Sequence, residues 1–205
     1  MAQAVERSDG VAGRDAATPP APQILRSGLL PRLSEFQERR AEDALDLGAI
    51  SGEKLRLLAP FARRVSFDNF PGCTADLLAA DDVPSADELC TSLRLPGPFD
   101  LVFLWDFLDY IDRGSLRPFL QKIAEACRPG ALVYFLVSQT RFVPATPSVL
   151  DVRPPDQLVF RNEPWTRTSS RHPPQVVKEM MPRFEIRKLF LLKNGIQEHV
   201  FVRRA

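Results

Sequence analysis

The feature that most constrains the fold of this chain is a loop with two glycines that follows a short apolar run. Residues 44–52 read ALDLGAISG, with an acidic residue at Asp46 and glycines at Gly48 and Gly52. Glycine permits a tight turn without Cβ crowding, and Ser51 is suited to start a helix through 53–62 whose first N–H groups can meet a ligand. The pattern predicts a strand that ends near Leu47, followed by a ligand-binding loop.

A second acidic residue supports this interpretation of the loop. The next apolar stretch, Val65–Phe67, ends at Asp68. At this spacing, a second parallel strand delivers a carboxylate to the ribose hydroxyls of a nucleotide-like ligand. Two structural alternatives stay open, because Asp68 also suits a surface turn and Asp46 also suits a capping role at the helix start.

Strands and helices then alternate in a way that predicts a parallel sheet. The apolar stretch 99–105 is typical of a central parallel strand, 115–127 carries the apolar stripe of a helix that ends at an Arg-Pro-Gly turn, and 131–137 reads as the next strand. Asn194-Gly195, between the β-rich runs 184–192 and 196–202, predicts a hairpin. We therefore expect an α/β fold with a mostly parallel sheet, helices on both faces and an antiparallel C-terminal hairpin.

The remaining segments give weaker expectations. Helices are predicted over 33–44, over 85–93 from a capping-box pattern, and over 175–181, and little room is left for a third strand after Asp68. Residues 1–23 have the composition of a flexible tail, which leaves one domain over 24–205. The proline-rich stretch 143–174 is expected to be irregular and to serve as a lid or an insertion.

Composition excludes several classes of function. The formal net charge is +1, so no overall field would attract nucleic acid or an anionic membrane. The three cysteines form no CxxC motif, and His172 and His199 lack partners at metal-ligand spacing, so we expect no disulfide frame and no metal site, with both histidines structural or exposed. There is no signal-peptide pattern and no apolar run long enough to span a bilayer, which favours a cytoplasmic location.

These elements resemble the class I (Rossmann-like) S-adenosylmethionine-dependent methyltransferases from about Asp43 to the C-terminus. Asp46, Gly48 and Gly52 match the acidic and glycine positions of the family's first loop, and Asp68 matches the acid that ends its second strand. FDLVFLWDFLDYID (99–112) is similar to the fourth strand and its loop, and LRPFLQKIAEACRPGALVYFLVS (116–138) to the following helix, turn and fifth strand. The resemblance implies S-adenosyl-L-methionine as cofactor and a small or medium-sized acceptor. It implies a cofactor site of Asp46, Gly48, Ser51, Gly52, Asp68, Trp105 and Asp106.

One departure from the family pattern keeps other functions open. Ile50 stands where the middle glycine is usual, and a β-branched residue disfavours positive φ and crowds the methionine part of the cofactor. In an active enzyme we expect Ile50 to turn into the core between sheet and helix. The alternatives are a catalytically silent protein of this fold that acts as a binding or scaffolding partner and, less favoured, a nicotinamide-dependent oxidoreductase. Asp106 and Asp109 also read as solvated loop carboxylates, and the sequence assigns no catalytic residue.

Overall fold

A computed structural model describes most of the chain. The described residues are 21–28, 32, 40–68, 88, 90, 91, 93, 95–153, 156–161 and 166–204. The predictions for the tail 1–23, for the helix 85–93 and for a third strand after Asp68 fall wholly or mostly outside these residues. Within the described ranges, no helix has the length and apolar character needed to cross a lipid bilayer.

A six-stranded mixed sheet forms the centre of the protein. Its strands are β2 (Ala41–Asp46), β3 (Ala62–Phe67), β4 (Phe99–Trp105), β5 (Cys127–Ser138), β10 (Phe184–Leu191) and β11 (Ile196–Arg203), in the order β10-β11-β5-β4-β2-β3. β3, β2, β4 and β5 are mutually parallel, whereas β11 runs antiparallel to both β5 and β10. The predicted α/β fold class is confirmed, including the antiparallel C-terminal hairpin.

The hairpin turns where the sequence places it. Asn194 and Gly195 adopt positive φ angles of 66° and 74°, a conformation that asparagine and glycine tolerate better than other residues. Both residues lie in the short turn Lys193–Gly195 between β10 and β11. The Asn-Gly signal therefore predicted both the turn and the antiparallel pair.

Both faces of the large sheet are covered, so its central strands are apolar on both sides. In β5, Val133 and Phe135 pack on one face and Leu132 and Tyr134 on the other. The first face carries the helices α2 (Arg113–Glu125) and α3 (Pro174–Met180). The second face carries α1 (Gly52–Leu58) together with a small second sheet. Burial on both faces explains the continuous apolar runs of β4 and β5.

The second sheet is the main departure from the sequence-based expectations. The strands β1 (Gln23–Arg26), β7 (Val149–Arg153) and β8 (Gln157–Arg161) form it in the order β1-β8-β7, all antiparallel. β6 (Phe142–Pro144) pairs separately with β9 (Thr166–Thr168). The expectation that 143–174 is irregular was therefore wrong. Among the described prolines of this stretch, Pro144 ends β6 and Pro147 lies between strands, where a missing N–H breaks no ladder, and Pro173 and Pro174 stand at the start of a helix.

Two further boundaries need correction. Residues 41–44, predicted as the end of a helix over 33–44, lie in β2, where the strand pairs in parallel with β3 and β4. Residues 33–39 lie outside the described part. The helix predicted through 53–62 begins as expected, with Ser51 as its N-cap, but ends at Leu58 because Ala62 already belongs to β3.

Candidate functional site

The carboxyl ends of the parallel strands bring most of the predicted site residues to one edge of the sheet. Asp46 ends β2 and is fully buried, and its backbone carbonyl accepts a hydrogen bond from the N–H of Asp68 at 2.9 Å. Trp105 ends β4, and its indole Nε1 donates to Asp46 Oδ1 at 2.6 Å. The Gly48 N–H donates to the same oxygen at 2.7 Å. Asp46 thus organises the loop, and Asp68 lies beside it, half-buried.

A buried lysine, Lys54, lies against Asp46, Gly48 and Trp105, and we call these four residues the loop cluster. The Lys54 side chain is 1% exposed, and its Nζ lies 3.5 Å from Asp46 Oδ1, 3.1 Å from the Ala49 carbonyl oxygen and 4.4 Å from the centre of the Trp105 ring. Burial lowers the pKa of Lys54 and raises the pKa of Asp46, since in each case desolvation outweighs their mutual attraction. Within the described part of the chain, Asp46 Oδ2 accepts no hydrogen bond.

Trp105 is held in an unusual backbone conformation. Its φ is 52°, in the left-handed region that a bulky side chain rarely enters. The ring is 3% exposed, stacks on Phe103 with 5.2 Å between centroids and meets Tyr134 edge-on at 5.6 Å. Strain of this kind persists only where the surroundings fix it, and it concentrates at functional sites. The indole packs in the core, as its place at a strand end suggests, and a cofactor contact for it stays a prediction.

The two glycines of the loop have different surroundings. A Cβ on Gly48 would lie 2.5 Å from Lys54 Nζ and 2.6 Å from Trp105 Cδ1, whereas a Cβ on Gly52 would meet open space. Gly48 is therefore required by the close approach of two side chains of the protein itself. Ile50 is 66% exposed. The expectation that it turns into the core was wrong, because the loop projects it to solvent instead.

A cavity of about 150 Å³ lies at the same edge of the sheet, next to β4 and β5. It is lined by Gln23, Asp106, Asp109, Tyr110, Leu136, Ser138, Thr140, Phe142, Val143, Pro144, Ser148, Phe160, Asn194 and Ile196. About this volume holds a benzene-sized molecule in proteins. Several lining residues belong to the stretch 143–174, so the segment that was predicted to be a lid or an insertion contributes a wall of the cavity.

Two carboxyl groups of this cavity are buried. Asp106 is 9% exposed and its Oδ2 accepts from the Ser148 N–H at 2.9 Å; Asp109 is 3% exposed and its Oδ2 accepts from the Ser138 N–H at 2.8 Å. Burial raises the pKa of both, and the pKa of Asp109 reaches about 8. The interpretation of both as solvated loop carboxylates was therefore wrong. A carboxyl group with a pKa near neutrality is suited to accept or donate a proton.

Sequence reasoning missed Lys54 and did not assign Asp109. Lysine is almost never fully buried, so no local pattern marks Lys54 as part of the loop cluster. A signal for Asp109 does exist: it interrupts the run Phe107, Leu108, Tyr110, Ile111, in which every side chain is buried. An acidic residue within an otherwise continuous apolar run predicts a buried carboxyl group.

The sheet order, the glycine loop after the first parallel strand and the antiparallel final hairpin together define the class I methyltransferase fold. Solved structures agree. NodS, an N-methyltransferase from Bradyrhizobium japonicum WM9, matches with a TM-score of 0.53 and 13% identity over 86% of this chain and 93% of that chain. A S-adenosylmethionine-dependent methyltransferase from Clostridium acetobutylicum ATCC 824 matches with a TM-score of 0.53 and 10% identity over 86% and 92%.

CalS10, an amino pentose methyltransferase from Micromonospora echinaspora whose structure contains S-adenosylmethionine, matches with a TM-score of 0.53 and 15% identity over 85% of this chain and 88% of that chain. No protein-family model and no sequence among curated proteins matches the chain significantly. At these identities the structural likeness establishes the fold, and it confirms the predicted resemblance at that level.

Proposed function

We propose that this protein is a S-adenosylmethionine-dependent methyltransferase that acts on a small amine. The observation that carries the proposal is the cavity at the carboxyl edge of β4 and β5, lined by two buried carboxyl groups within a methyltransferase fold. Ligands of open α/β sheets bind outside the carboxyl ends of the strands. Lys54, in the loop cluster, lies close enough to Asp106 to influence its pKa, so the loop and the cavity are neighbours.

The residues present fit the cofactor, with one condition. Gly52 faces open space, Asp68 directly follows β3 beside the loop, and the buried Asp46 Oδ2 has an unused acceptor position among the described residues. At Gly48, however, the space is filled by Lys54 Nζ and the Trp105 ring. Cofactor binding at Gly48 therefore requires that both Lys54 Nζ, the end of a flexible side chain, and the edge of the Trp105 ring move. Asp46, Gly48, Ser51, Gly52 and Asp68 would then hold the cofactor.

The charge of the cavity indicates the class of acceptor. Among its described lining residues there are two carboxyl groups and no lysine, arginine or histidine. A protonated amine bound beside these carboxyl groups favours their ionised form and is compensated by it, whereas a carboxylate or phosphate acceptor would find no compensating cation among the lining residues. The apolar wall formed by Phe142, Phe160 and Leu136 suits the carbon skeleton of such a molecule. The small volume restricts the acceptor to a small amine or to the amine end of a larger one.

Asp109 is the proposed proton acceptor. An alkylammonium group has a pKa of about 10, so it must lose a proton before its nitrogen can act as a nucleophile. Transfer to a carboxylate with a pKa of about 8 is far less unfavourable than transfer to an exposed carboxylate. The proton moves from nitrogen to Asp109, which frees the lone pair. S-adenosylmethionine would supply the methyl group from its sulfonium, with a neutral thioether as leaving group when the new nitrogen–carbon bond replaces the carbon–sulfur bond.

A labelled-methyl assay tests this function. The protein is incubated with S-adenosylmethionine carrying a trideuterated methyl group and with small amines, alcohols and carboxylates that share the same carbon skeletons. We expect mass spectrometry to find the label on amines, at a rate that rises with pH through about 8, because Asp109 must be ionised to accept the proton. Label on the alcohols or carboxylates alone would contradict the amine assignment.

Substitution of Asp109 provides the matched test of its role. Asp109→Asn keeps an acceptor for the Ser138 N–H but cannot take up a proton, so the rate should fall by roughly 10²–10⁴-fold and lose its rise with pH. Glu179→Gln, at an exposed position on α3, serves as the control and should leave the rate unchanged. A wild-type rate and pH profile in Asp109→Asn would remove Asp109 from the mechanism.

One observation favours a second candidate function. Lys54 and Trp105 fill the space at Gly48, which would prevent cofactor binding if they stay in place. The protein would then serve as a catalytically silent binding or scaffolding partner of the same fold. Failure of every amine to accept the label, together with no binding of S-adenosylhomocysteine, would favour this candidate over the methyltransferase.

A further inference from the structure

The Lys54 ammonium lies inside the protein, in contact with Asp46, Ala49 and Trp105. Lys54 is the third residue of the short helix α1, and its side chain runs back beneath the loop to Asp46 rather than out to solvent. Strand β7 packs against α1 from the small sheet. The charged end of Lys54 is thus enclosed between the large sheet, the loop and β7.

The ammonium is only partly compensated in this position. It has three hydrogen-bond donors, but its contacts are one hydrogen bond of 3.1 Å to the Ala49 carbonyl oxygen, a longer one of 3.5 Å to Asp46 Oδ1 and the face of Trp105. Asp151, on β7, also attracts it electrostatically. Among the described residues, Asp46 Oδ2 and Asp151 Oδ1 are buried without a hydrogen-bond partner. These few contacts only partly compensate the ammonium for its lost hydration, which lowers the cost of replacing it by another cation.

We infer that Lys54 is an internal competitor of the cofactor: its ammonium occupies the place beside Asp46 that the amino group of S-adenosylmethionine takes when it binds. The inference rests on the proposed function. The cofactor and its product S-adenosylhomocysteine both end in an α-amino acid, whose ammonium has the same charge and the same donors as Lys54 Nζ. Both cations need the same acceptor, Asp46, and the space at Gly48 is already occupied by Lys54 Nζ beside the Trp105 ring.

Two consequences distinguish this arrangement from a structural ion pair. Binding of an adenosine ligand that carries an α-ammonium must displace Lys54, whereas binding of 5′-methylthioadenosine, which lacks the amino-acid part, need not. The displaced lysine must also become accessible to solvent, because its present site is 1% exposed. The protein therefore binds the cofactor more weakly than it would without Lys54, because part of the binding free energy is used to displace the lysine.

Isothermal titration of the whole protein tests the inference. Lys54→Met removes the charge and keeps an unbranched side chain that can pack on the Trp105 ring. We expect its affinity for S-adenosylhomocysteine to exceed that of the wild type by at least tenfold, with the affinity for 5′-methylthioadenosine changed by less than threefold. Lys178→Met, which removes an exposed lysine on α3, is the control and should change neither. Melting temperatures establish that each variant is folded, and Lys54→Gln replaces Lys54→Met if the latter is not.

A second measurement uses the unaltered protein. Brief acetylation with an amine-reactive reagent, followed by mass spectrometry, should modify Lys54 slowly in the free protein and faster in the presence of S-adenosylhomocysteine, while Lys178 reacts at the same rate in both. If the wild type binds S-adenosylhomocysteine and the Lys54 variants bind it equally or more weakly, the inference is overturned and the proposed function stands. If only the variants bind, the inference holds and the proposed function of the wild type fails. If none binds, both fail.

Discussion

At the scale of single residues, His199 shows how an apolar core controls a titratable group. Its ring is fully buried in β11, stacks on Phe135 with 4.8 Å between centroids and meets Phe201 edge-on. Within the described residues neither ring nitrogen has a hydrogen-bond partner. Desolvation lowers the pKa of His199 to about 4, so the imidazole is neutral in the folded protein at physiological pH. The expectation of a structural role for His199 agrees with this packing, and it is not exposed.

Stability should therefore depend on pH through His199. The unfolded chain binds a proton at His199 below pH 6.5, whereas the folded protein does so only near pH 4. The contribution of His199 to stability is thus lost as pH falls from 6.5 to 4, by on the order of 3 kcal/mol. His199→Phe keeps the stacked ring and removes the titration. We expect the difference in free energy of unfolding between wild type and variant, measured with urea, to shift by that amount between pH 7 and pH 4. If the stability of the wild type and of His199→Phe changed equally with pH, the buried imidazole without a hydrogen-bond partner would be contradicted.

At the scale of secondary-structure elements, the sequence predicted the strands and turns that depend on short-range patterns. The apolar run of β4 and the Asn-Gly pair at 194–195 each predict an element from their own residues. Both elements lie at the predicted positions. The small sheet was missed because β1 pairs with β8 across most of the chain, Gln23 opposite Phe160, and neither strand has a strong pattern of its own. At the site, the spacing of Asp46 and Asp68 in the sequence predicted that they lie side by side, as they do. The burial of Lys54 and Asp109 depends on tertiary packing and could not be predicted from a local pattern.

The segment 143–174 should respond to ligands, because it forms part of the cavity wall. Phe160 and Ser148 line the cavity, and Arg161 and Arg167 offer tryptic sites in or beside β8 and β9. With S-adenosylhomocysteine and an amine bound, we expect cleavage after these two arginines to slow several-fold, because a filled cavity opposes local opening. Cleavage after Lys178, on α3 and outside the cavity lining, should keep its rate. Mass spectrometry of the time course measures both. Equal slowing at all three positions would indicate global stabilisation, and no slowing would indicate a plain structural insertion.

At the scale of the whole molecule, a buried glutamate ties the two sheets together. Glu198 lies in β11 of the large sheet and is fully buried. Its Oε1 accepts hydrogen bonds from the hydroxyls of Ser27 and Tyr134, the latter at 2.8 Å, and its Oε2 accepts from the Gly28 N–H at 2.7 Å. Ser27 and Gly28 follow β1 directly, so the carboxylate fixes the small sheet, and with it one wall of the cavity, to the large sheet. A fully satisfied polar network of this kind rigidifies the packing around it.

Removal of Glu198 should therefore lower the free energy of unfolding strongly. Its effect should not be additive with that of removing the Tyr134 hydroxyl. Glu198→Ala removes the acceptor of three hydrogen bonds, from Ser27, Tyr134 and Gly28, and is expected to lower the free energy of unfolding by roughly 3–5 kcal/mol. Tyr134→Phe loses one of these hydrogen bonds and is expected to lower it by about 1–2 kcal/mol. Once Glu198 is gone, the Tyr134 hydroxyl no longer donates to a carboxylate, so the double variant should be more stable than the sum of the two losses implies, by about 1 kcal/mol. Glu185→Ala, at an exposed position on β10, is the control and should change stability by no more than about 0.5 kcal/mol. Urea unfolding of the four variants measures these differences, and a loss in Glu198→Ala no larger than in the control would show that the small sheet is held by apolar packing alone.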